Sequence, residues 1–305
     1  MSLVRKLSRI TLICRGPDRL ADFYESALGF TRTGEVSIAE PAFAQFMGIT
    51  DATACAITLR LGEQEIELVG VFPPGFSYPQ SVSGRSTLFQ HFAIVVADIG
   101  SAYARLAAHP GWTTISTDGP QSLPVTSGGV TAYKFRDPEG HPLELIAFSR
   151  DRTPAKWQCA SAAECLGIDH SALSVSVTAR SVKFYELLGL RRTSGSLNIG
   201  PEQDKLDDIA GAVVKVTAMA PPITTPHVEL LCYRGGSNGK SALPATNDIA
   251  ATRLVMRVES EAVLEGFCAQ NPGTILSDPV RFEHGGLRAM LRDPDGHLLC
   301  FETPV

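Results

Sequence analysis

Strict alternation of apolar and polar positions marks the strands of this chain. In "HFAIVVAD" (91–98), Phe92, Ile94 and Val96 share one face, and His91, Ala93 and Val95 share the other. In "HSALSVSV" (170–177), Leu173, Val175 and Val177 form an apolar face, while His170, Ala172, Ser174 and Ser176 form a small, partly polar one suited to lining a cavity. The period changes to helical in "PDRLADFYESALGF" (17–30), where Leu20, Phe23, Tyr24, Ala27 and Leu28 fall on one stripe. Pro17 suits a first helical position and Gly29 a left-handed cap, so this segment reads as an amphipathic helix lying on a sheet.

These elements recur. "ADFYESALGF" (21–30) is echoed by "VKFYELLGL" (182–190), and "RDPEGHPLEL" (136–145) by "RDPDGHLLCF" (292–301). The second half of the chain repeats the first, and each half divides again into two segments that run strand, helix, strand and close on "ELV", "LELI", "VELL" or "LLCF". Four similar modules result, at 1–71, 88–150, 166–234 and 249–305, grouped by sequence into halves 1–150 and 151–305. The DPxGH stretches read as tight turns, with Pro138 and Pro294 presetting φ and Gly140 and Gly296 taking a positive φ. His141 and His297 then read more simply as hydrogen-bonding side chains than as catalysts. Tyr24 and Tyr185 read as packing residues, and the pairs Gly128-Gly129 and Gly285-Gly286 as bends between strands.

Composition narrows the function. The 305 residues are 44% apolar and 19% charged, and the net charge of -5 is spread without acidic or basic runs. That favours a small-molecule partner over nucleic acid or a membrane surface. The seven cysteines are an odd set, and Cys159 and Cys165 are too widely spaced for a CxxC pair, so reduced, mostly buried thiols are expected. The opening "MSLVRKLSRITLIC" lacks the features of a signal peptide, and no stretch approaches the length of a membrane span, which points to a cytoplasmic protein.

A strand, an FYxxxLGF-type helix and strands ending in DPxGHxxE, repeated four times, resemble the vicinal oxygen chelate superfamily of glyoxalase I, extradiol dioxygenases, and fosfomycin- and bleomycin-resistance proteins. The resemblance covers nearly the whole chain. It implies an α+β fold of four βαβββ modules forming two cupped mixed β-sheets with helices outside. It also implies that metal ligands come from the first and last strands of each module. The first-strand positions are Arg9, His91, His170 and Arg253, and the last-strand positions are Glu67, Glu144, Glu229 and Cys300. Pairing the modules in chain order leaves both sets incomplete. Pairing the second module with the third, and the first with the fourth, groups His91, Glu144, His170 and Glu229 against Arg9, Glu67, Arg253 and Cys300.

Two imidazoles and two carboxylates suit a divalent ion such as zinc, nickel, manganese or iron. Cys300 and the two arginines belong to a set that cannot hold a cation in the same manner; Arg9 and Arg253 are expected to bridge Glu67 or to meet an anion. The resemblance implies a glyoxalase-type isomerase or lyase acting on a molecule with vicinal oxygens, with Glu144 or Glu229 as the base. Glutathione as co-substrate rests on the resemblance alone. One alternative is an Fe(II) extradiol dioxygenase, from which the chain departs in carrying Tyr133 and Lys134 four and three residues before Asp137. Another is a metal-free small-molecule binding or resistance protein. Four modules in one chain need no dimer and leave a homodimer open.

Overall fold

The computed structural model describes residues 3–80, 82–158, 163–235, 242–283 and 285–304. Two mixed sheets carry the chain. The inner sheet joins the second and third modules, in the order Arg191–Ile199, Val213–Ala220, His227–Tyr233, Cys165–Ser174, Gln90–Val96, Pro142–Phe148, Val130–Arg136 and Thr113–Thr114. The outer sheet joins the fourth and first, in the order Ile275–Arg281, Leu287–Arg292, Leu298–Glu302, Arg253–Val258, Val4–Cys14, Gln64–Phe72, Thr53–Leu61 and Thr31–Ile38. Each sheet therefore draws on both halves of the sequence, and its central seam is an antiparallel pair of first strands: Gln90–Val96 with Cys165–Ser174, and Val4–Cys14 with Arg253–Val258.

The helix expected at residue 17 spans Pro17–Leu28, with Pro17 in its first turn and Gly29 at φ 73° as its cap. Its apolar stripe is buried as the spacing requires, and a fully buried Leu such as Leu20 contributes roughly 1.5–3 kcal/mol. An aspartate at position 20 would break this packing. Phe92, Ile94 and Val96 turn to the helix side and join a core shared with Leu12, Tyr24, Leu173, Leu254 and Phe301, so the helix-covered faces of the two sheets meet in one apolar interior. The opposite faces form the cups. One local expectation fails: the strand through "HSALSVSV" stops at Ser174, and Val177 is half exposed where it precedes the helix Thr178–Leu187.

Both DPxGH turns tie one sheet to the other. His141 places Nδ1 2.8 Å from Asp137 Oδ2 and Nε2 3.0 Å from the carbonyl of Ile13, in the outer sheet. His297 places Nε2 2.9 Å from the carbonyl of Ser174, in the inner sheet. Tyr24 and Tyr185, both fully buried, donate to Asp137 at 3.0 Å and Asp293 at 3.2 Å. Gly140 and Gly296 take φ of 99° and 101°, and Gly128 and Gly129 also bend with positive φ. Cys14, Cys165, Cys268 and Cys300 are buried free thiols and Cys55 and Cys232 are partly buried; Cys159 lies outside the described residues. No helix among the described residues is long and apolar enough to cross a membrane.

Candidate metal centre

The register of the inner seam brings the four candidate ligands to one cup. His91 lies opposite Ala172 and His170 opposite Ala93. The flanking parallel strands then set Glu144 beside Ala93 and Glu229 beside Ala172. Alanine at the two crossing points leaves the floor of the cup open, and a cavity of about 570 Å³ stands above it. Helical apolar residues lock the seam from behind, which fixes the direction of every side chain on the cup face.

His91 Nε2 lies 2.8 Å from Glu144 Oε2, and His170 Nε2 lies 3.8 Å from the same oxygen and 3.6 Å from Glu229 Oε2. The donor atoms of His91, Glu144 and His170 all fall within 4.8 Å of one another. Glu229 stands slightly apart: its other oxygen is 3.5 Å from His227 Nε2, and its side chain is 22% exposed against 8% for Glu144.

Several further polar residues complete the site. Asp169 Oδ2 lies 3.2 Å from His170 Nδ1, and its Oδ1 meets Lys156 Nζ at 2.8 Å and the Trp157 indole N–H at 3.1 Å. An acceptor on Nδ1 holds the His170 proton there and leaves the Nε2 lone pair facing the cup. Strand alternation would turn Asp169 away from His170. It faces the same cavity because a bulge interrupts the register between Ile168 and His170, which no periodicity reveals. His227 was legible by contrast, since it sits two residues before Glu229 on the same strand. Lys134, opposite Glu144 on the neighbouring strand, donates to Asp207 Oδ1 at 2.7 Å, and Asp207 Oδ2 accepts from Tyr233 at 3.0 Å. Tyr133 faces the other way, into the core, where its hydroxyl donates to Thr114.

Electrostatics follow from this packing. Burial alone would raise the Glu144 carboxyl, but the Lys134 ammonium and the two imidazoles hold it well below the usual carboxylate range. Glu229 is lowered despite burial by His170 and His227. Burial opposes charging of His170 but Glu229, Asp169 and Glu144 raise it well above the usual imidazole value, whereas burial keeps His91 low. Among the described residues the carboxylates of Glu144, Asp169, Asp207 and Glu229 outnumber the ammoniums of Lys134 and Lys156 by two, and His170, raised by its carboxylate neighbours, offsets one of the two until an ion displaces its proton. A divalent cation neutralises that excess. Ligands about 2 Å from an ion lie roughly 3–4 Å apart in a tetrahedral or octahedral shell, the scale of the separations found here, so the residues present fit such an ion.

The outer cup has the same register and different chemistry. Arg253 faces Thr11 and Arg9 faces Val255 across its seam, with Glu67 beside Thr11 and Cys300 beside Val255. Arg9 is bound to Glu302 at 2.8 Å and lies 3.6 Å from Glu67. Phe43, Phe46 and Met47, from the helix Pro41–Met47, pack into the cup with Val255 and Cys300.

A family model described as "Glyoxalase/Bleomycin resistance protein/Dioxygenase superfamily" matches residues 6–145. Residues 6–145 match that superfamily's model, and the whole chain has the glyoxalase/dioxygenase-like fold. Among solved structures, the chain is similar to glyoxalase I from Zea mays, with 17% identity, a TM-score of 0.62, and 98% of this chain and 92% of that one covered. It is also similar to a putative dioxygenase from Bacillus subtilis, with 13% identity, a TM-score of 0.60, and 100% and 86% covered. At these identities the likeness is one of fold, the glyoxalase/dioxygenase-like fold. No curated protein sequence matches the chain.

Proposed function

We propose that His91, Glu144, His170 and Glu229 hold one divalent ion, of zinc, nickel, manganese or iron, and that the protein is a glyoxalase-type isomerase or lyase acting on a small molecule with vicinal oxygens. The observation that carries this reading is the gathering of two imidazoles and two carboxylates, in a pocket where carboxylates outnumber ammoniums, on the open floor of one cup. The bound ion would supply Lewis acidity toward neighbouring substrate oxygens. Glu229 is the better base of the two carboxylates, because its second oxygen is oriented by His227 and its side chain is the more accessible. It would take a proton from the hydroxyl-bearing carbon beside the carbonyl and return it to the former carbonyl carbon, while the hydroxyl proton passes to the former carbonyl oxygen. Glu144, kept ionised by Lys134, would remain a ligand. Ile146, Phe148, Leu206 and Val216 wall the cavity and limit water around the reacting carbons. Both lysines of the lining are committed to aspartates, which favours an uncharged α-hydroxycarbonyl adduct over a carboxylate-rich one such as a glutathione adduct.

A second reading, an Fe(II) ring-cleaving dioxygenase, is favoured by one feature: His91, His170 and Glu144 by themselves make a compact two-histidine, one-carboxylate set. Dioxygen uptake with a catechol, against isomerisation of an α-hydroxycarbonyl compound without it, separates the two. Elemental analysis of the purified, metal-reconstituted protein tests both. One ion per chain is expected, lost in His91→Ala and His170→Ala and retained in Cys300→Ala. Protein that takes up no metal, or equal loss in Cys300→Ala, would instead make the chain a metal-free binding protein.

A further inference from the structure

The outer cup carries a charge excess opposite to that of the inner one. The guanidiniums of Arg9, Arg253, Arg257 and Arg288 line it or its mouth, against the carboxylates of Glu67 and Glu302; Glu65, at the rim, is engaged by Arg60 at 2.7 Å. Glu302 is shared between Arg9 and Arg257, and Glu67 lies near Arg9 and accepts from Thr11 at 2.9 Å. Arg253, only 4% exposed, has no ion-pair partner among the described residues. Its Nη2 donates to the carbonyl of Thr246 at 2.6 Å, its Nη1 to Met47 Sδ at 3.2 Å, and its Nε to nothing. Arg9 Nε is likewise buried without a hydrogen bond. Cys300 does not supply the missing charge, because its thiol donates toward the Phe301 carbonyl and burial pushes it up to about 11.

Arg253 meets the Glu67 carboxylate only across the chamber, beyond ion-pair distance, and a buried cation so weakly compensated costs several kcal/mol; the partly open chamber lined by Arg9, Arg253, Arg288, Glu67 and Cys300 measures about 30 Å³. So small a space admits a small ion rather than an organic ligand. Its remaining wall is apolar, formed by Ile38, Phe43, Phe46, Val69 and Val255. Guanidinium is weakly hydrated and pairs with weakly hydrated anions. We infer that the outer cup is a binding site for a single monatomic anion of the chloride class, held between Arg9 and Arg253, independent of the metal centre. Its position on the seam between the first and fourth modules makes it a structural ion that joins the two ends of the chain.

Thermal unfolding of the full chain in a gluconate buffer tests this. Added chloride or bromide should raise the midpoint saturably from a low-salt baseline, by about 2 °C for each tenfold excess over half-saturation. Sulfate at equal ionic strength should not, being too large for the chamber, and the halide response should disappear in Arg253→Met. An equal rise in sulfate, or a halide response retained in Arg253→Met, overturns the inference. Should that variant fail to fold, crystals of the unaltered protein soaked in bromide decide the matter. An anomalous peak between Arg9 and Arg253 supports the site, and water at that position refutes it.

Discussion

In the inner cup His91 and His170 face alanines across the seam, and a helix of sequence "PEQDKLD" brings Gln203, Leu206 and Asp207 to the cavity wall. In the outer cup Arg253 and Arg9 face Thr11 and Val255, and the corresponding helix, "PAFAQFM", fills the space with Phe43, Phe46 and Met47. Where Lys134 meets Asp207 in one cup, Arg253 meets the sulfur of Met47 in the other. Identical backbone registers thus produce a large, electronegative cavity and a small, electropositive chamber. Substituting side chains at the seam and on one short helix is sufficient to change what a cup can hold, since the sheet supplies only position.

The largest test of this contrast exchanges equivalent carboxylates. Glu229→Gln should lower turnover by about 10²–10⁴-fold while most metal is retained, whereas Glu67→Gln in the outer cup should leave turnover unchanged. Steady-state rates with metal content measured alongside report both. Next in size is the buried pair. Lys134→Met strands the Asp207 carboxylate and should cost about 3–5 kcal/mol in denaturant unfolding. Adding Asp207→Met, which imitates Met47 of the outer cup, should recover much of that loss.

A smaller effect is expected from Asp169→Asn. The amide cannot fix the His170 tautomer as firmly, so metal affinity should fall by roughly 10–100-fold in competition with a chelator. The smallest concerns the clamp between sheets. Both ring nitrogens of His141 face oxygen acceptors, and although burial opposes it, Asp137 raises the His141 pKa above the usual 6.5. A raised histidine stabilises fully below its unfolded value and loses that contribution as pH rises through its folded value. Unfolding midpoints should therefore decline from about pH 6.5 upward, and His141→Gln should flatten this decline.

Much of the architecture was written in the sequence, because alternation and helical spacing are local consequences of burial on one face. The helix at Pro17–Leu28, the positive φ of Gly140 and Gly296, and the cup faces of Gln90–Val96 and His227–Tyr233 all follow from short segments. The fourfold repeat aligned His91, Glu144, His170 and Glu229 with Arg9, Glu67, Arg253 and Cys300, and the strand registers match position for position. Tertiary structure alone decided the rest. Asp169 enters the site through a bulge, Lys134 is matched with Asp207 from another module, and each DPxGH turn binds the sheet it does not belong to. These contacts join residues 73 to 128 positions apart, or hinge on one inserted residue. Periodicity records which face of an element is buried, but not which distant charge or carbonyl will be waiting there.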